Sequence, residues 1–138
     1  MFLLRLLGLL MIWLAAPVWA ENFTTTAEVK PILSATKPQW IAVREYQGQD
    51  LLYFTNLLSW RCGLDKVTYG INGAAPDTVL ATEPCYEDEA QPNALKVEAI
   101  MPYVTLDLGL VQTVTVQVTY DDGSTDEARF ERAKVLTP

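Results

Sequence analysis

The clearest pattern of apolar and polar positions lies in residues 111–120, where the two kinds of side chain alternate. Successive side chains of a β-strand point to opposite faces, so this alternation predicts a strand with one buried face. The apolar face carries Val114, Val116, Val118 and Tyr120, and the polar face carries Thr113, Thr115, Gln117 and Thr119. Strands that are buried on one side only are typical of antiparallel sheets.

The sequence Asp-Asp-Gly at residues 121–123 indicates a tight turn, and the apolar positions beyond it select the length of that turn. A two-residue loop would place Val116 opposite the charged Arg129, whereas a three-residue loop places Val116 opposite Ala128. Because the apolar side chains of paired strands share one face, we predict the three-residue loop. Gly123 then takes the left-handed conformation that this loop requires.

Shorter segments of similar character follow one another along the chain. Further strands are predicted at residues 40–46, 51–60, 66–72, 78–82, 103–108 and 124–134, while residues 94–101 fit either a strand or a short helix. Short strands separated by turns at roughly ten-residue spacing predict an all-β fold, namely a small antiparallel β-sandwich. This strand rhythm resembles that of immunoglobulin-like and fibronectin-like domains, although the cysteine spacing departs from the immunoglobulin pattern.

Cys62 and Cys85 are the only cysteines, and they are equidistant from the turn that follows Asn72 and Gly73. A hairpin with its loop at residues 72–75 would bring the two cysteines opposite each other. We therefore predict one structural disulfide, which would stabilise the fold by about 3 kcal/mol. Two free thiols with a redox role are the alternative.

The first twenty residues have the pattern of a secretory signal peptide. Arg5 precedes an apolar run, and Val18-Trp19-Ala20 has the small-x-small pattern of a signal-peptidase cleavage motif. This pattern predicts cleavage after Ala20. The alternative is an uncleaved anchor, but the run is shorter than the roughly 20 residues that span a bilayer. We predict a periplasmic or secreted protein without stable membrane insertion. Residues 21–38 are predicted as an extended lead-in and residues 39–138 as a single β-sandwich domain.

The charge of the chain restricts its partners. Arg5 is the only charged residue in residues 1–20, so the chain beyond them has nine basic and seventeen acidic residues and a net charge of −8. Nucleic acids and anionic lipid surfaces bind clusters of Lys and Arg, which are missing here. A basic protein or a component of the cell envelope is the expected partner. Solubility alone also explains such a charge, and pairing of edge strands into a dimer stays open.

Catalytic chemistry has little support in the sequence. The chain contains no histidine, which excludes the usual triads and histidine metal sites, and it has no phosphate-cradling glycine loop. We predict neither an enzyme nor a cofactor. Two acidic clusters, at residues 87–89 and 121–127, could bind calcium, but solvated loops explain both, and no metal site is predicted.

The candidate contact residues lie beside the cysteines. Trp60 and Arg61 precede Cys62, and an acidic stretch follows Cys85. A loop that is fixed by a disulfide is a good platform for recognition. The predicted partner-binding residues are Trp60, Arg61, Tyr86, Glu87, Asp88 and Glu89.

These observations predict an exported, non-catalytic binding or structural module of the cell envelope. The alternative is an acidic inhibitor of a basic secreted hydrolase such as lysozyme, with residues 86–89 as the inhibitory loop. A calcium-binding or sugar-binding module is a third possibility, since an exposed tryptophan can stack on sugar rings.

Overall fold

The computed structural model describes residues 11–13 and 22–138. The predicted signal peptide and its cleavage point lie outside the described residues, apart from residues 11–13. Within the described part of the chain, none of the helices has the length and apolar character needed to cross a membrane.

Seven strands and three short helices make up the described structure. The strands are β1 (Ala42–Tyr46), β2 (Gln49–Tyr53), β3 (Leu64–Ile71), β4 (Thr78–Val79), β5 (Tyr103–Asp107), β6 (Thr113–Tyr120) and β7 (Thr125–Glu131). The helices are α1 (Thr26–Ala35), α2 (Thr55–Leu58) and α3 (Arg132–Val135), with 3₁₀ turns at Lys37–Gln39 and Arg61–Gly63.

The strands form two antiparallel sheets, which confirms the predicted all-β sandwich. One sheet has the order β1-β2-β5 and the other the order β4-β3-β6-β7. In the constant-type immunoglobulin sandwich the fourth strand lies in the sheet of the first two strands. Here β4 pairs with β3 instead, so the chain has an immunoglobulin-like rhythm with the fourth strand moved to the opposite sheet.

One hydrophobic core lies between the sheets, and alternation along the strands fills it. On β6 the four residues of the predicted apolar face are buried, while the intervening residues are partly exposed. The fully buried Val43 and Leu52 contribute to the same core from the other sheet. Helix α1 adds Val29 and Leu33 to this core.

Both predicted hairpin registers are confirmed. Val116 pairs with Ala128, and Gly123 has a φ of +85°, as the three-residue loop requires. Thr68 pairs with Val79, which is the register that brings Cys62 and Cys85 together. Apolar pairing thus determined the first hairpin correctly, and the Asn72-Gly73 turn with the symmetric cysteines determined the second.

The predicted extended conformation of residues 21–38 is wrong, because α1 occupies most of this segment. Thr25 accepts a hydrogen bond at Oγ1 from the backbone N–H of Glu28 (3.3 Å), and its hydroxyl donates to the Glu28 carboxylate (2.8 Å). This capping arrangement starts the helix. Pro31 lies inside the helix and has no N–H to donate. The burial of Val29 and Leu33 offsets the loss of this backbone hydrogen bond.

Two further strand predictions need correction. The strand predicted at residues 51–60 ends at Tyr53, and α2 follows because Leu57 and Leu58 turn inward to the core. The strand predicted at residues 40–46 begins only at Ala42, since Trp40 is a core residue whose indole N–H donates to the carbonyl of Leu33 (2.9 Å). Residues 94–101 form neither a strand nor a helix.

A buried ion pair connects the two sheets. Asp50 of β2 is completely buried, and Arg132, the first residue of α3 directly after β7, donates to both of its carboxylate oxygens (2.6 and 2.9 Å). The backbone N–H of Val111 donates to the same carboxylate (3.1 Å). The hydrogen bonds from Arg132 are the largest influence on this group and lower the pKa of Asp50 to about 2, although burial acts in the opposite direction.

We predict that this ion pair makes the free energy of unfolding depend on pH in the acidic range. An aspartate in an unfolded chain has a pKa near 3.9, so ionised Asp50 stabilises the native state above about pH 4. That stabilisation, about 2 kcal/mol, is lost as the pH falls from about 4 to about 2. Asp50→Asn is expected to lower the free energy of unfolding at neutral pH by about 3 kcal/mol, because Arg132 loses its buried counter-charge and keeps only the exposed Glu45 (2.8 Å).

Urea unfolding of the wild type and the variant at several pH values between about 2 and 7 tests this prediction. The exposed Asp107 of β5 offers a matched control, since Asp107→Asn should behave as the wild type. An equal loss of stability in acid for the wild type and Asp50→Asn would contradict the assignment.

Candidate functional site

The predicted disulfide is present between Cys62 and Cys85, whose Cα atoms are 5.0 Å apart. It joins the turn before β3 to the connection between β4 and β5. The backbone N–H of Asp121 also donates to the carbonyl of Gly63 (3.1 Å), which brings the β6–β7 turn to the same place. We call this part of the molecule the disulfide end; it comprises residues 54–65, 80–102 and 121–123. A disulfide of this kind fits an oxidising compartment.

Arg61 organises the disulfide end from the inside. Its side chain is only 5% exposed, and all three guanidinium nitrogens donate to backbone carbonyls. The acceptors are the carbonyl oxygens of Leu58, Glu83, Pro84, Asn93 and Ala94, at 2.7–3.1 Å. An irregular connection carries buried carbonyls that no sheet satisfies, and the fork of five N–H donors on arginine satisfies several of them together.

The carboxylate of Glu83 lies in the same interior network. It accepts hydrogen bonds from the Tyr86 hydroxyl (2.7 Å) and from the backbone N–H groups of Lys96 and Val97 (2.9 and 3.3 Å). Burial raises the pKa of Glu83, but these hydrogen bonds and the charge of Arg61 outweigh it, and the pKa lies below its usual value. Glu83 therefore remains ionised and holds residues 96 and 97 against the segment that contains Cys85.

The acidic loop at residues 86–89 extends from this network into solvent. The ring of Tyr86 is half-buried, and the ammonium group of Lys96 lies 4.2 Å from its centroid. Lys96 also binds Glu89 in a surface ion pair (2.7 Å). Glu87 and Asp88 are exposed. The loop thus presents two carboxylates outward while Tyr86 and Glu89 hold it to the domain.

Carboxylates from other segments approach this loop. The pKa of Asp121 is raised above its usual value. The largest cause is the loss of hydration on burial, and the negative charges of Asp65, Glu87 and Asp122 add to it. Glu87 belongs to the loop after the disulfide, Asp65 to β3, and Asp121 and Asp122 to the β6–β7 turn. The disulfide end therefore concentrates negative charge from three separate parts of the chain, and we call these four residues with Asp88 the acidic surface.

Trp60 lies on another part of the disulfide end. Its indole is half-buried, and the ring of Phe23 packs edge-on against it with the centroids 5.0 Å apart. Asn93 connects Phe23 to the segment that contains Trp60. Its Oδ1 accepts from the backbone N–H of Cys62 (2.8 Å), and its Nδ2 donates to the carbonyl of Phe23 (2.9 Å).

The structure brings the six predicted contact residues to one end of the sandwich but gives them different roles. Arg61 faces inward, so its prediction as a partner contact is corrected to a structural role, because its donors are used by carbonyls. Tyr86 and the exposed Glu89 make contacts that hold the loop, Glu87 and Asp88 are exposed, and Trp60 is half-buried. Glu83 and Asn93 were not predicted because they have no local sequence motif, and nothing in the sequence connects Asp65 with the acidic loop.

Among residues 11–13 and 22–138, no group of three or more Cys, Asp or Glu side chains lies in an arrangement that could hold a metal ion. The acidic surface is a region of negative potential rather than a shaped cage, and its side chains point toward solvent.

The described part of the chain forms a seven-stranded antiparallel β-sandwich with one disulfide and an acidic end. Comparisons of the chain with protein-family models, with curated proteins and with solved structures find no match. The function must therefore be argued from the geometry of the site.

We predict that Arg61→Lys destabilises the domain and loosens the acidic loop. Lysine keeps the charge but has three donors on one atom, so it cannot reach carbonyls on three segments. Unsatisfied buried carbonyls cost about 1–3 kcal/mol each, so a loss of several kcal/mol is expected in chemical unfolding. Amide hydrogen exchange in residues 83–97 should also accelerate.

The exposed Arg44 of β1 provides the matched control, and Arg44→Lys should leave stability and exchange unchanged. A variant Arg61→Lys with wild-type stability and wild-type exchange would show that Arg61 does not organise this end.

Proposed function

We propose that the protein is an exported, non-catalytic binding module of the cell envelope, and that its acidic surface receives a basic protein partner. The observation that supports this most is the meeting of carboxylates from three separate chain segments on one end of the sandwich, where Leu64 pairs with Tyr120 and the N–H of Asp121 donates to the carbonyl of Gly63 (3.1 Å). Like charges repel, so their concentration at one place costs stability that a cationic partner would restore.

The interior of the disulfide end supports the same proposal. The disulfide, the carbonyl contacts of Arg61 and the carboxylate of Glu83 hold the base of the loop. A loop that is already ordered loses little conformational entropy on binding, which leaves more of the interaction energy for affinity. The clustered charge would also accelerate encounter with a basic partner at low ionic strength.

Export is part of the proposal and rests on two observations. Residues 1–20 have the pattern of a signal peptide, and the disulfide needs an oxidising compartment such as the bacterial periplasm or the extracellular medium.

A second candidate function is inhibition of a basic secreted hydrolase such as lysozyme. The feature that favours it is the short loop at residues 86–89, which presents Glu87 and Asp88 outward while Glu89 is bound to Lys96. An inhibitor needs such a preorganised projection to enter an active-site cleft. This candidate uses the same residues and narrows the partner to an enzyme with a cationic cleft.

We predict that neutralising the loop abolishes binding of the basic partner. The double variant Glu87→Gln/Asp88→Asn removes two charges without changing shape. Capture from the native envelope fraction is compared at about 0.1 M and about 1 M salt, where the screening length is about 10 Å and about 3 Å. A cationic partner that binds the wild type at low salt should be lost at high salt, and the double variant should fail to bind it.

The variant Glu127→Gln/Glu131→Gln removes the same charge from the exposed side of β7 and serves as the control. If the partner bound the loop variant and the control equally, the acidic surface would not be the binding site. A lysis assay with lysozyme separates the two candidates, since only an inhibitor would slow lysis and lose this effect in the loop variant.

A further inference from the structure

Trp60 stands between two clefts on the disulfide end. One cleft has a volume of about 330 Å³ and the other about 250 Å³, and Ser59 and Trp60 line both of them. Although 20% of the residues in the chain are charged, no charged residue lines either cleft. The surface on both sides of the indole is therefore neutral, in contrast to the nearby acidic surface.

Carboxamide side chains surround the indole on both sides. Asn22 and Gln91 line the larger cleft, and Gln39 and Asn56 line the smaller one, and all four residues are exposed. Asn56 donates from Nδ2 to the carbonyl of Gln39 (2.7 Å), which leaves its Oδ1 available as an acceptor. A carboxamide carries both donors and acceptors in one plane, so it can pair with a ligand hydroxyl in either direction.

The aromatic part of this surface is fixed in advance. Phe23 has a φ of +54°, a left-handed conformation that a bulky residue rarely adopts. Its backbone is held there because its N–H donates to the Glu28 carboxylate (3.2 Å) and its carbonyl accepts from Asn93 (2.9 Å). Backbone strain of this kind is typically kept where it serves a site. Here it places the Phe23 ring against Trp60 and limits movement of the indole.

We propose that the two clefts and Trp60 form a binding groove for a neutral oligosaccharide. A pyranose ring has an apolar face of C–H groups that can lie on an indole, and a rim of hydroxyl groups that need both donors and acceptors. The groove combines an indole that lines both clefts with carboxamides beside it. Because it lacks cations and lies in an acidic protein, anionic sugars and phosphorylated ligands are excluded by the same argument.

The arrangement also suits a chain of several sugar units. Each cleft is near the lower end of the volume range of ligand pockets, about 300–1,000 Å³. With clefts on both sides of the indole, the central sugar unit lies on Trp60 and its neighbours reach the carboxamides of either side. This inference goes beyond the proposed basic partner, because it uses a different set of side chains.

The indole N–H signals of the isotopically labelled, exported protein test the proposal by NMR. Trp40 provides an internal reference, since its indole is buried and bonded to the carbonyl of Leu33. Cellohexaose, maltohexaose and chitohexaose are the neutral probes, and a hexasaccharide of galacturonic acid is the anionic control. At least one neutral probe should shift the Trp60 signal in a saturable way below about 10 mM, corresponding to a binding free energy of at least about 3 kcal/mol. The Trp40 signal and the titration with the anionic sugar should show no change.

Variants complete the test. Trp60→Ala should weaken sugar binding at least about tenfold, and Trp60→Phe should weaken it less. Gln39→Ala alters an exposed side chain, so it should weaken sugar binding without affecting the fold. Tyr46→Ala changes an exposed aromatic residue at the opposite end of the sandwich and should have no effect.

Glu87→Gln/Asp88→Asn should also bind sugar normally, so that failure of the basic-partner proposal and failure of this one are distinguishable. No shift of Trp60 with any of the three neutral probes, or sugar binding that survives both Trp60→Ala and Gln39→Ala, would overturn the proposal.

Discussion

The disulfide end depends on a buried arginine that satisfies carbonyl groups of an irregular connection. The segment between β4 and β5 lies over the end of the sandwich without the hydrogen bonds of a sheet. A connection of this length is stable in one conformation only if its buried polar groups are paired. Arg61 supplies those pairs to Pro84, Asn93 and Ala94, and the disulfide adds a covalent restraint at the same position.

Two chemically different surfaces result from this one interior. On one part of the end, carboxylates from three segments accumulate; on another, an indole and carboxamides line neutral clefts. A β-sandwich does not imply either activity, because sandwiches serve many unrelated functions through their loops. The sandwich holds together loops that are distant in sequence, and it keeps these loops ordered.

The sequence was most informative where local pairing decides the structure. Residues 113–120 alternate so regularly that the register of β6 with β7 followed from apolar matching, whereas the register of β3 with β4 and the disulfide followed from the Asn72-Gly73 turn and the symmetric cysteines. Helix α1 was missed although Thr25 and Glu28 carry a capping signal, because Pro31 and the threonine run suggested extended chain. The burial of Arg61 had no local signal at all, since it depends on carbonyls 22–33 residues farther along the chain.

The ion pair between Asp50 and Arg132 also has a consequence for how the chain is made. Synthesis proceeds from the amino end, so Asp50 emerges early, while Arg132 emerges only after β3 to β7 have been completed. Until then a carboxylate that the finished core encloses has no counter-ion, and closing the core around it is unfavourable. The two sheets therefore join late, once all seven strands are present.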